Sequence, residues 1–296
     1  MFKPKPAKKE YLPSMLPKNR KEVFFDVLKL NWGRFILYGF LVLLISLPMH
    51  ASVIFGDFYS ASISEALDTG KITAVQAVSM ATSSSNTLAL VDILFCVIFA
   101  VGFSGLAHIM RQHAWEESVY FRHEYIKGIK QNAGSFALLG LLVGIIKFAC
   151  TWFGNYLMLH NGNAFAYAGY IPAAIFAIFL APPTAYMTVC VPIYGVKFHQ
   201  NFKTALMLYF KSFFKTIFAV LICALPFVVQ MIPNFYWHLI GRIVSSLATP
   251  FIMLGWFVFT YEMLDKTINP KLYPQLVGKG VYKEEPKEEK TEEKTE

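Results

Sequence analysis

The sequence predicts an all-α polytopic membrane protein with six transmembrane helices, and three observations lead to this fold class. The chain of 296 residues is 55% hydrophobic and 16% aromatic. Charged residues make up only 16%, whereas about 25% is usual in soluble domains. The apolar residues lie in six runs, each long enough for the roughly 20-residue helix that crosses a bilayer core of about 30 Å. These properties exclude a soluble domain.

The six predicted spans are arranged as three helical hairpins. Their predicted limits are Gly33 to Phe55, Leu88 to Met110, Ser135 to Met158, Tyr170 to Ile193, Phe213 to Ile232 and Leu239 to Leu264. Because the number of spans is even, both chain ends are expected on the same side of the membrane.

The distribution of positive charge predicts which side that is. Cytoplasmic segments of membrane proteins retain Lys and Arg. Of the 27 such residues, 24 lie on the side of the chain ends, against two on the opposite side. Both termini are therefore expected in the cytoplasm. The net charge of +8 is spread over these segments, so nucleic acid is not expected as a partner.

The chain divides into three parts. Residues 1–32 are expected to form a basic cytoplasmic segment with an amphipathic helix, residues 33–264 the transmembrane domain, and residues 265–296 a cytoplasmic tail. The tail alternates Lys and Glu after about residue 282 and is expected to be disordered there. The long polar start argues against a cleavable signal peptide. Residues 57–87 look like an extracytoplasmic insertion between the first two spans.

The approaches to the first and third spans indicate a repeated unit. The two sets of residues are spaced alike: Lys29, Asn31, Gly33 and Phe35, and Lys130, Asn132, Gly134 and Phe136. The approach to the fifth span is similar in amphipathic character. The predicted unit is an interfacial amphipathic helix, an outward helix and a returning helix, used three times. The alternative is chance similarity, since basic and aromatic residues gather at any membrane interface.

Motifs for soluble chemistry are missing from the sequence. There is no Gly-rich phosphate loop followed by Lys and Ser or Thr. The four cysteines lie in apolar segments without metal-ligand spacing. His108 and His113 would point about 140° apart on a helix, and Gly102 to Gly105 is better explained by helix packing than as a nucleophile elbow. The sequence thus predicts no catalytic residue, no cofactor and no metal.

Two ionisable residues lie inside predicted spans, where a charge is expensive and is a functional candidate by default. Lys147 lies near the centre of the third span, roughly 17 Å from either end. Asp92 lies roughly 6 Å inside the outer end of the second span. A Lys147 to Asp92 pair therefore forms only if the lysine extends outward. The alternative is a lysine that reaches an interior water pocket for structural reasons.

The fourth span is unusual in its content of proline, with Pro172, Pro182, Pro183 and Pro192. The adjacent Pro182 and Pro183 remove two backbone donors at mid-depth, so they are expected to break or kink the helix there. Secondary transporters place their sites at broken helices near the midplane. A kink that only improves packing is the alternative.

The cytoplasmic approaches to the third and fifth spans form a candidate interaction face. Phe121, Tyr125, Ile126 and Ile129 recur at helical spacing, which leaves the basic residues free to meet anionic lipid headgroups or an acidic partner. The residues predicted for this face are Arg111, Arg122, Tyr125, Lys127, Lys130, Asn132, Lys197 and Lys203. Ordinary interfacial anchoring is the alternative.

The region after the second span reads GLAHIMRQHAWEESVYFRHEYIKGIKQNAGSFALLGLL. It joins an Arg at a helix end, an acidic turn and an aromatic-rich stretch with Lys-x-Asn before the next helix. The residues of this pattern are Arg111, Glu116, Glu117, Tyr125, Lys127, Lys130 and Asn132. The later stretches VPIYGVKFHQNFKTALMLYFKSFFKTI and YEMLDKTINPKLYPQLVGKGVY have the same character.

This pattern resembles the YesL-like bacterial membrane proteins, the domain-of-unknown-function 624 family. The resemblance covers most of the chain from the second span onward and departs from the family between Leu47 and Gly102. It implies about six helices and an association with carbohydrate utilisation and sugar uptake. It implies no established activity and no catalytic residue.

The sequence leaves two main functional expectations. The first is a non-enzymatic accessory or interaction protein of the bacterial cytoplasmic membrane, associated with carbohydrate uptake. Its expected partners are the bilayer, anionic lipids and a sugar-uptake membrane complex. The alternative is a small-solute, sugar-related transporter that uses the interior around Lys147 and the broken fourth span. An enzyme is not expected, because no paired acid, base or nucleophile falls at intramembrane depth.

Overall fold

A computed structural model describes residues 16–160, 164–232 and 235–282. These residues form helices and turns without a strand. The α-helices are α1 (Arg20–Asp68), α2 (Ala74–Ala114), α3 (Phe121–Leu159), α4 (Ala164–Tyr194), α5 (Phe198–Lys211), α6 (Phe213–Ala224), α7 (Phe235–Thr267) and α8 (Asn269–Leu272). Short 3-10 helices cover Leu225–Met231 and Pro274–Leu276. The expected disorder after residue 282 lies outside the described residues.

Six of the described segments are long and apolar enough to cross a membrane, which confirms the predicted all-α polytopic fold. They are α1 to α4, the segment Phe213–Gln230 and α7, with α4 counted from Tyr167. The helix α2 contacts α1, α3, α4 and α7, so it is central in the bundle.

The first two helices are much longer than their predicted spans. The 49 residues of α1 and the 41 residues of α2 extend roughly 74 Å and 62 Å at 1.5 Å per residue, more than twice the apolar bilayer thickness. The segment 57–87 supplies the distal ends of both helices and the turn between them. Thr73 and Gln76 form a capping box that starts α2 immediately after this turn.

Both ends of the described chain lie at one end of the bundle, here called the terminal end. Arg20 Nη2 lies 2.8 Å from Asp265 Oδ2, and Arg20 Nη1 donates to the carbonyl of Lys279 at 2.7 Å. The Tyr282 amide donates to the carbonyl of Pro17 at 2.8 Å. The opposite end, which carries the turn between α1 and α2, is the loop end.

The apolar core lies in the terminal half of the bundle. Its largest fully buried side chains come from the terminal halves of α1 to α4, from α5 and from α7: Phe35, Leu106, Ile109, Met110, Phe136, Tyr186, Met187, Leu208, Leu254, Phe257, Tyr261 and Leu264. Few apolar side chains are buried toward the loop end. Hydrophobic packing therefore fixes the terminal half more firmly than the loop half.

Glycines bring α2 and α3 close together along most of their shared length. A Cβ atom added to Gly128 would lie 2.5 Å from the Cβ of His108. One added to Gly140 would lie 2.6 Å from the carbonyl oxygen of Cys96. Further toward the loop end, one added to Gly144 would lie 2.8 Å from the Cα of Ile93. Small residues allow such backbone contact between membrane helices.

The predicted amphipathic approach helices are distinct in two of the three repeats. The chain leaves helical geometry at Asn31 (φ −125°, ψ 15°) and at Ser212 (φ −124°, ψ 29°). Each of these side chains bonds back to the carbonyl four residues earlier, Asn31 at 3.2 Å and Ser212 at 2.6 Å, and such bonds compete with the backbone ladder. The prediction of a separate helix before the third span is wrong. There α3 is continuous. The side-chain nitrogen Nδ2 of Asn132 has no hydrogen-bond partner, so it does not bond back to its own helix.

Of the break or kink predicted at Pro182 and Pro183, the break is not observed. The helix α4 continues through both residues to Tyr194, and both prolines are buried. Only two backbone donors are lost, while packing on α3, α5 and α7 holds the rest of the helix. Nearby, the Trp256 indole donates to the carbonyl of Ala185 at 2.8 Å and ties α4 to α7.

Candidate functional site

The structure brings Lys147 and Asp92 together as an ion pair through Lys147 Nζ and Asp92 Oδ2. Asp92 lies next to Ile93, where Gly144 lets α3 approach the backbone of α2. Lys147 follows Gly144 by one helical turn, so its side chain extends along α2 toward Asp92. The close helix contact therefore positions the pair, as the predicted outward reach of the lysine requires.

The ion pair borders a cavity of about 220 Å³ between α1, α2 and α3. Hydroxyl groups and charged groups form much of its wall: Ser52, Asp57, Ser60, Ser84, Ser85, Asp92, Lys147 and Thr151. Asp92 is only 4% exposed, and its Oδ1 has no hydrogen-bond partner. A buried carboxylate oxygen without a donor is costly, so Asp92 depends on the contact of its other oxygen with Lys147.

Arg242 extends this polar region to α7. Its guanidinium interacts electrostatically with both Asp57 and Asp92. Arg242 Nη1 lies 3.3 Å from His50 Nδ1, and because arginine only donates hydrogen bonds, this nitrogen of His50 is the acceptor. His50 Nε2 then carries the ring proton toward Ser46 and Ser246, at 2.9 Å and 3.2 Å.

Further polar contacts surround the same region. His238 Nδ1 of α7 lies 3.4 Å from Asp57 Oδ2 of α1. Asn155 of α3 donates to Asn86 of α2 at 2.8 Å. Ionisable and amide groups from four helices thus meet in the loop half of an apolar bundle, where unpaired charge is expensive. The arrangement is suited to binding a small polar molecule.

Sequence reasoning found Lys147 and Asp92 but missed Asp57, Arg242, His50 and His238. Asp57 was assigned to the extracytoplasmic insertion, and Arg242 to the edge of the last span. The signal for Asp57 is the helical pattern of the first span, which continues beyond Phe55 and places Asp57 on an apolar helix. Pro182 and Pro183 do not line the cavity, so α4 does not supply this site.

Three of the eight residues predicted for the cytoplasmic interaction face make contacts within the bundle. Arg111 donates to the carbonyl of Pro192 at 2.9 Å and lies over the Trp115 ring. The Tyr125 hydroxyl donates to the carbonyl of Gly102 at 3.0 Å. Arg111 and Tyr125 are partly buried, whereas Asn132 is buried and does not belong to an exposed face.

The other five predicted face residues have exposed or partly exposed side chains. They are Arg122, Lys127, Lys130, Lys197 and Lys203. The first three line a groove of about 820 Å³ on the amino-terminal part of α3, beside Phe121 and Ile126.

A buried polar contact that the sequence did not reveal lies behind this groove. Glu124 Oε2 is 3.1 Å from His108 Nε2 and accepts a hydrogen bond from Gln112 Nε2 at 2.7 Å. His113 instead contacts the Tyr38 hydroxyl at 3.2 Å, so the two histidines have separate partners. These contacts fix the start of α3 against the end of α2.

Together, these features define an all-α membrane protein with a polar cavity among its apolar helices. No protein-family model, curated protein or solved structure matches this chain. The resemblance to the YesL-like family therefore stays a hypothesis that rests on the residues quoted above.

Proposed function

We propose that the protein is a non-enzymatic membrane protein that binds a small polar solute in the cavity beside Lys147 and Asp92 and carries it across the membrane. The observation that supports this function is the hydroxyl-lined cavity, which reaches a buried carboxylate within membrane-spanning helices. A charge at such a position is costly without a use. A cavity of about 220 Å³ holds several waters or a small solute.

Cysteine accessibility tests this function without knowledge of the solute. In a variant with Cys96, Cys150, Cys190 and Cys223 changed to Ala, Ser84→Cys places a thiol on the cavity wall. A small charged methanethiosulfonate should modify it roughly tenfold or more faster than Leu94→Cys, because only a hydrated thiol ionises readily. Leu94 is on the same helix and 59% exposed outside the cavity, which makes it a matched control.

The second half of the experiment addresses transport. The modified Ser84→Cys protein is reconstituted in vesicles, and uptake of glycerol, urea and methylammonium is followed by light scattering. Modification should slow the uptake of at least one of them, whereas reagent-treated Leu94→Cys vesicles should be unchanged. Equal and slow labelling of the two thiols would remove the cavity as a solute site.

We further propose that both termini lie in the cytoplasm of a bacterial cell. The distribution of Lys and Arg supports this orientation. A thiol at Ser62, near the loop end of α1, should react with an impermeant reagent applied to intact cells. A thiol at Ser118, between α2 and α3, should not react, and its labelling would reverse the orientation. The matching external site at Asn161 lies outside the described residues.

A second candidate function is the accessory role in carbohydrate uptake. The groove beside Arg122, Lys127 and Lys130 supports an interaction surface, because exposed Phe121 and Ile126 lie among the basic residues. Each basic residue near an anionic membrane surface contributes about 1 kcal/mol. The link to carbohydrate rests on the family resemblance alone.

Changing Arg122, Lys127 and Lys130 together to Gln tests this role. The variant should lose co-purifying anionic lipid or partner protein at normal abundance. The matched control is the pair Lys211→Gln and Lys215→Gln, exposed lysines outside the predicted face, which leaves the groove intact. Unchanged co-purification in the triple variant would leave these residues as interfacial anchors.

A further inference from the structure

The charges that line the polar cavity are unequal in number. Two carboxylates, Asp57 and Asp92, and one ammonium, Lys147, are on its wall. Arg242 interacts with both carboxylates from α7 but does not line the cavity. The four groups together carry no formal net charge, whereas the wall itself is negative by one.

Asp92 holds the position at which a ligand would bind. One oxygen, Oδ2, is occupied by Lys147, and the other, Oδ1, is buried without a partner. A carboxylate accepts hydrogen bonds and cations and donates none. The molecule that completes this site therefore presents a donor or a positive charge.

Lys147 is the part of the site that can be replaced. Its side chain is 42% exposed, whereas that of Asp92 is 5% exposed, and four methylene groups give the ammonium a wide reach. If a cation entered while Lys147 stayed in place, the buried group would carry an excess positive charge, which is unfavourable. If the cation takes the position of the Lys147 ammonium, and the ammonium swings away on its methylene groups to the exposed side of the pocket, the two carboxylates still face two positive charges, the cation and Arg242.

The wall also limits what kind of cation fits. Hydroxyl groups of Ser52, Ser84 and Thr151 supply neutral oxygen donors around the carboxylate, and such oxygens coordinate alkali ions or accept bonds from an alkylammonium group. The volume admits only a small ligand.

We propose that the cavity is an exchange site for a small monovalent cation, which binds Asp92 in place of the Lys147 ammonium. The inference names the class of solute for the proposed function and rests on it. Lys147 acts as a tethered internal cation that occupies the site when the ligand is absent. An alkali ion and a short alkylammonium ion share this chemistry.

The test removes the tethered cation and supplies a free one. Purified Lys147→Met is unfolded by heat in sodium, potassium or methylammonium chloride, or in the chloride of the bulky cation N-methyl-D-glucamine, at one ionic strength. At least one small cation should raise its unfolding temperature by about 5 °C over the bulky one, since a ligand that binds only the folded state stabilises it. The small cation that does so shows whether the ligand is an alkali ion or an alkylammonium ion.

Two control variants locate the effect. Lys71→Met removes an exposed lysine near the loop end but keeps the Lys147 ammonium as a competitor, so its dependence on the identity of the cation should match that of wild-type protein and be smaller than that of Lys147→Met. The double variant Asp92→Asn with Lys147→Met should lose the dependence, because the carboxylate that binds the cation is gone. A response that persists in the double variant, or no response in Lys147→Met, would overturn the exchange site.

If Lys147→Met does not fold, cation binding to wild-type protein tests the exchange site instead. Radiolabelled sodium and radiolabelled methylammonium are bound to the purified protein in a scintillation proximity measurement. At least one label should bind, and Asp92→Asn should weaken its binding roughly tenfold or more. Binding of neither label, or equal binding to Asp92→Asn, would overturn the exchange site. A reactive Ser84→Cys together with that result would leave the solute site in place and change only its ligand class.

Discussion

The terminal end and the loop end of the bundle each contain an ion pair between helices, but the surroundings of the two pairs differ. Both pairs border a pocket, of about 480 Å³ at Arg20 and about 220 Å³ at Lys147. Both oxygens of Asp265 have partners, and Arg20 also lies 4.3 Å above the ring of Tyr261. Asp92 Oδ1 has no partner. The first pair joins both chain ends to the core, whereas the second leaves an acceptor open.

The comparison teaches that similar charges have different roles according to what packs around them. At the terminal end, Lys279 lies 3.2 Å from Glu117 and 3.8 Å above the ring of Trp115. Gly280, at φ +82°, brings its backbone against Ala114 and Trp115. These contacts make the charges at the terminal end part of the stability of the fold, whereas Asp92 at the loop end keeps one carboxylate oxygen without a partner.

The largest expected effect comes from breaking the enclosed pair. Arg20→Met leaves Asp265 without its cation, and removing one partner of a buried pair costs about 3–5 kcal/mol. The free energy of unfolding in detergent should fall by about that amount. Lys21→Met, which changes the exposed neighbour, should have little effect. If Arg20→Met destabilises less than Lys147→Met does, the proposed contrast between the two ends is wrong.

The next effect concerns the close contact of α2 and α3. Gly128→Ala would place a Cβ atom 2.5 Å from His108 and 3.0 Å from the Cα of Gly105, so the helices must separate. Overpacking of this kind costs about 1–3 kcal/mol. Gly134→Ala on the same helix meets nothing within 4 Å and should stabilise α3 by about 0.5–1 kcal/mol. Thermal unfolding of the two variants should shift in opposite directions.

A smaller gain is expected at the turn after α2. Glu116 has φ 55°, while its amide and that of Glu117 bond to the carbonyls of His113 and Gln112, at 3.1 Å and 2.9 Å. This is a Schellman motif, in which glycine usually occupies the left-handed position. Glu116→Gly should raise the free energy of unfolding by about 0.5–1 kcal/mol. Glu117→Gly should lower it, because the ion pair with Lys279 is lost.

The last expected effect is a dependence on pH, which solvent screening weakens because Glu116 is exposed. Burial, with the nearby carboxylate of Asp26, raises the pKa of Glu116 from 4.5 to about 7. The folded protein therefore binds this proton more tightly than the unfolded chain, so the contribution is fully present below about pH 4.5 and is lost as pH rises through 7. In Glu116→Gln, the unfolding temperature should change less between about pH 4.5 and pH 7 than it does in wild-type protein. If the two proteins show the same dependence on pH, groups other than Glu116 cause it.

Much of the fold could be predicted because it depends on local composition. Six apolar runs of sufficient length require six helices in a bilayer. The separate approach helices at Asn31 and Ser212 could also be expected, since amphipathic sequence precedes both spans. The equivalent position at Asn132 behaves differently because its side chain does not bond back to its own helix, and no sequence pattern distinguishes that case.

The candidate site could be predicted only in part. Lys147 and Asp92 stood out because each is a charge within an apolar run. Asp57, Arg242 and His238 did not, since they lie where long helices look like loops or span ends. Asn132 is predicted for an exposed face, but it is buried where α3 packs on the bundle, and Arg111 and Tyr125 are partly buried by contacts with α4 and α2.

The sequence by itself determined the number of membrane-spanning helices and the presence of charge within them, because chain length and hydrophobicity are properties of each segment alone. Only the tertiary structure decided which charges meet, which are enclosed and where the cavity lies. Those outcomes depend on distances between helices, and at Gly128 and Gly144 the distances are set by the absence of a side chain facing a particular neighbour. Contacts of this kind join residues far apart in the chain, so no local pattern specifies them.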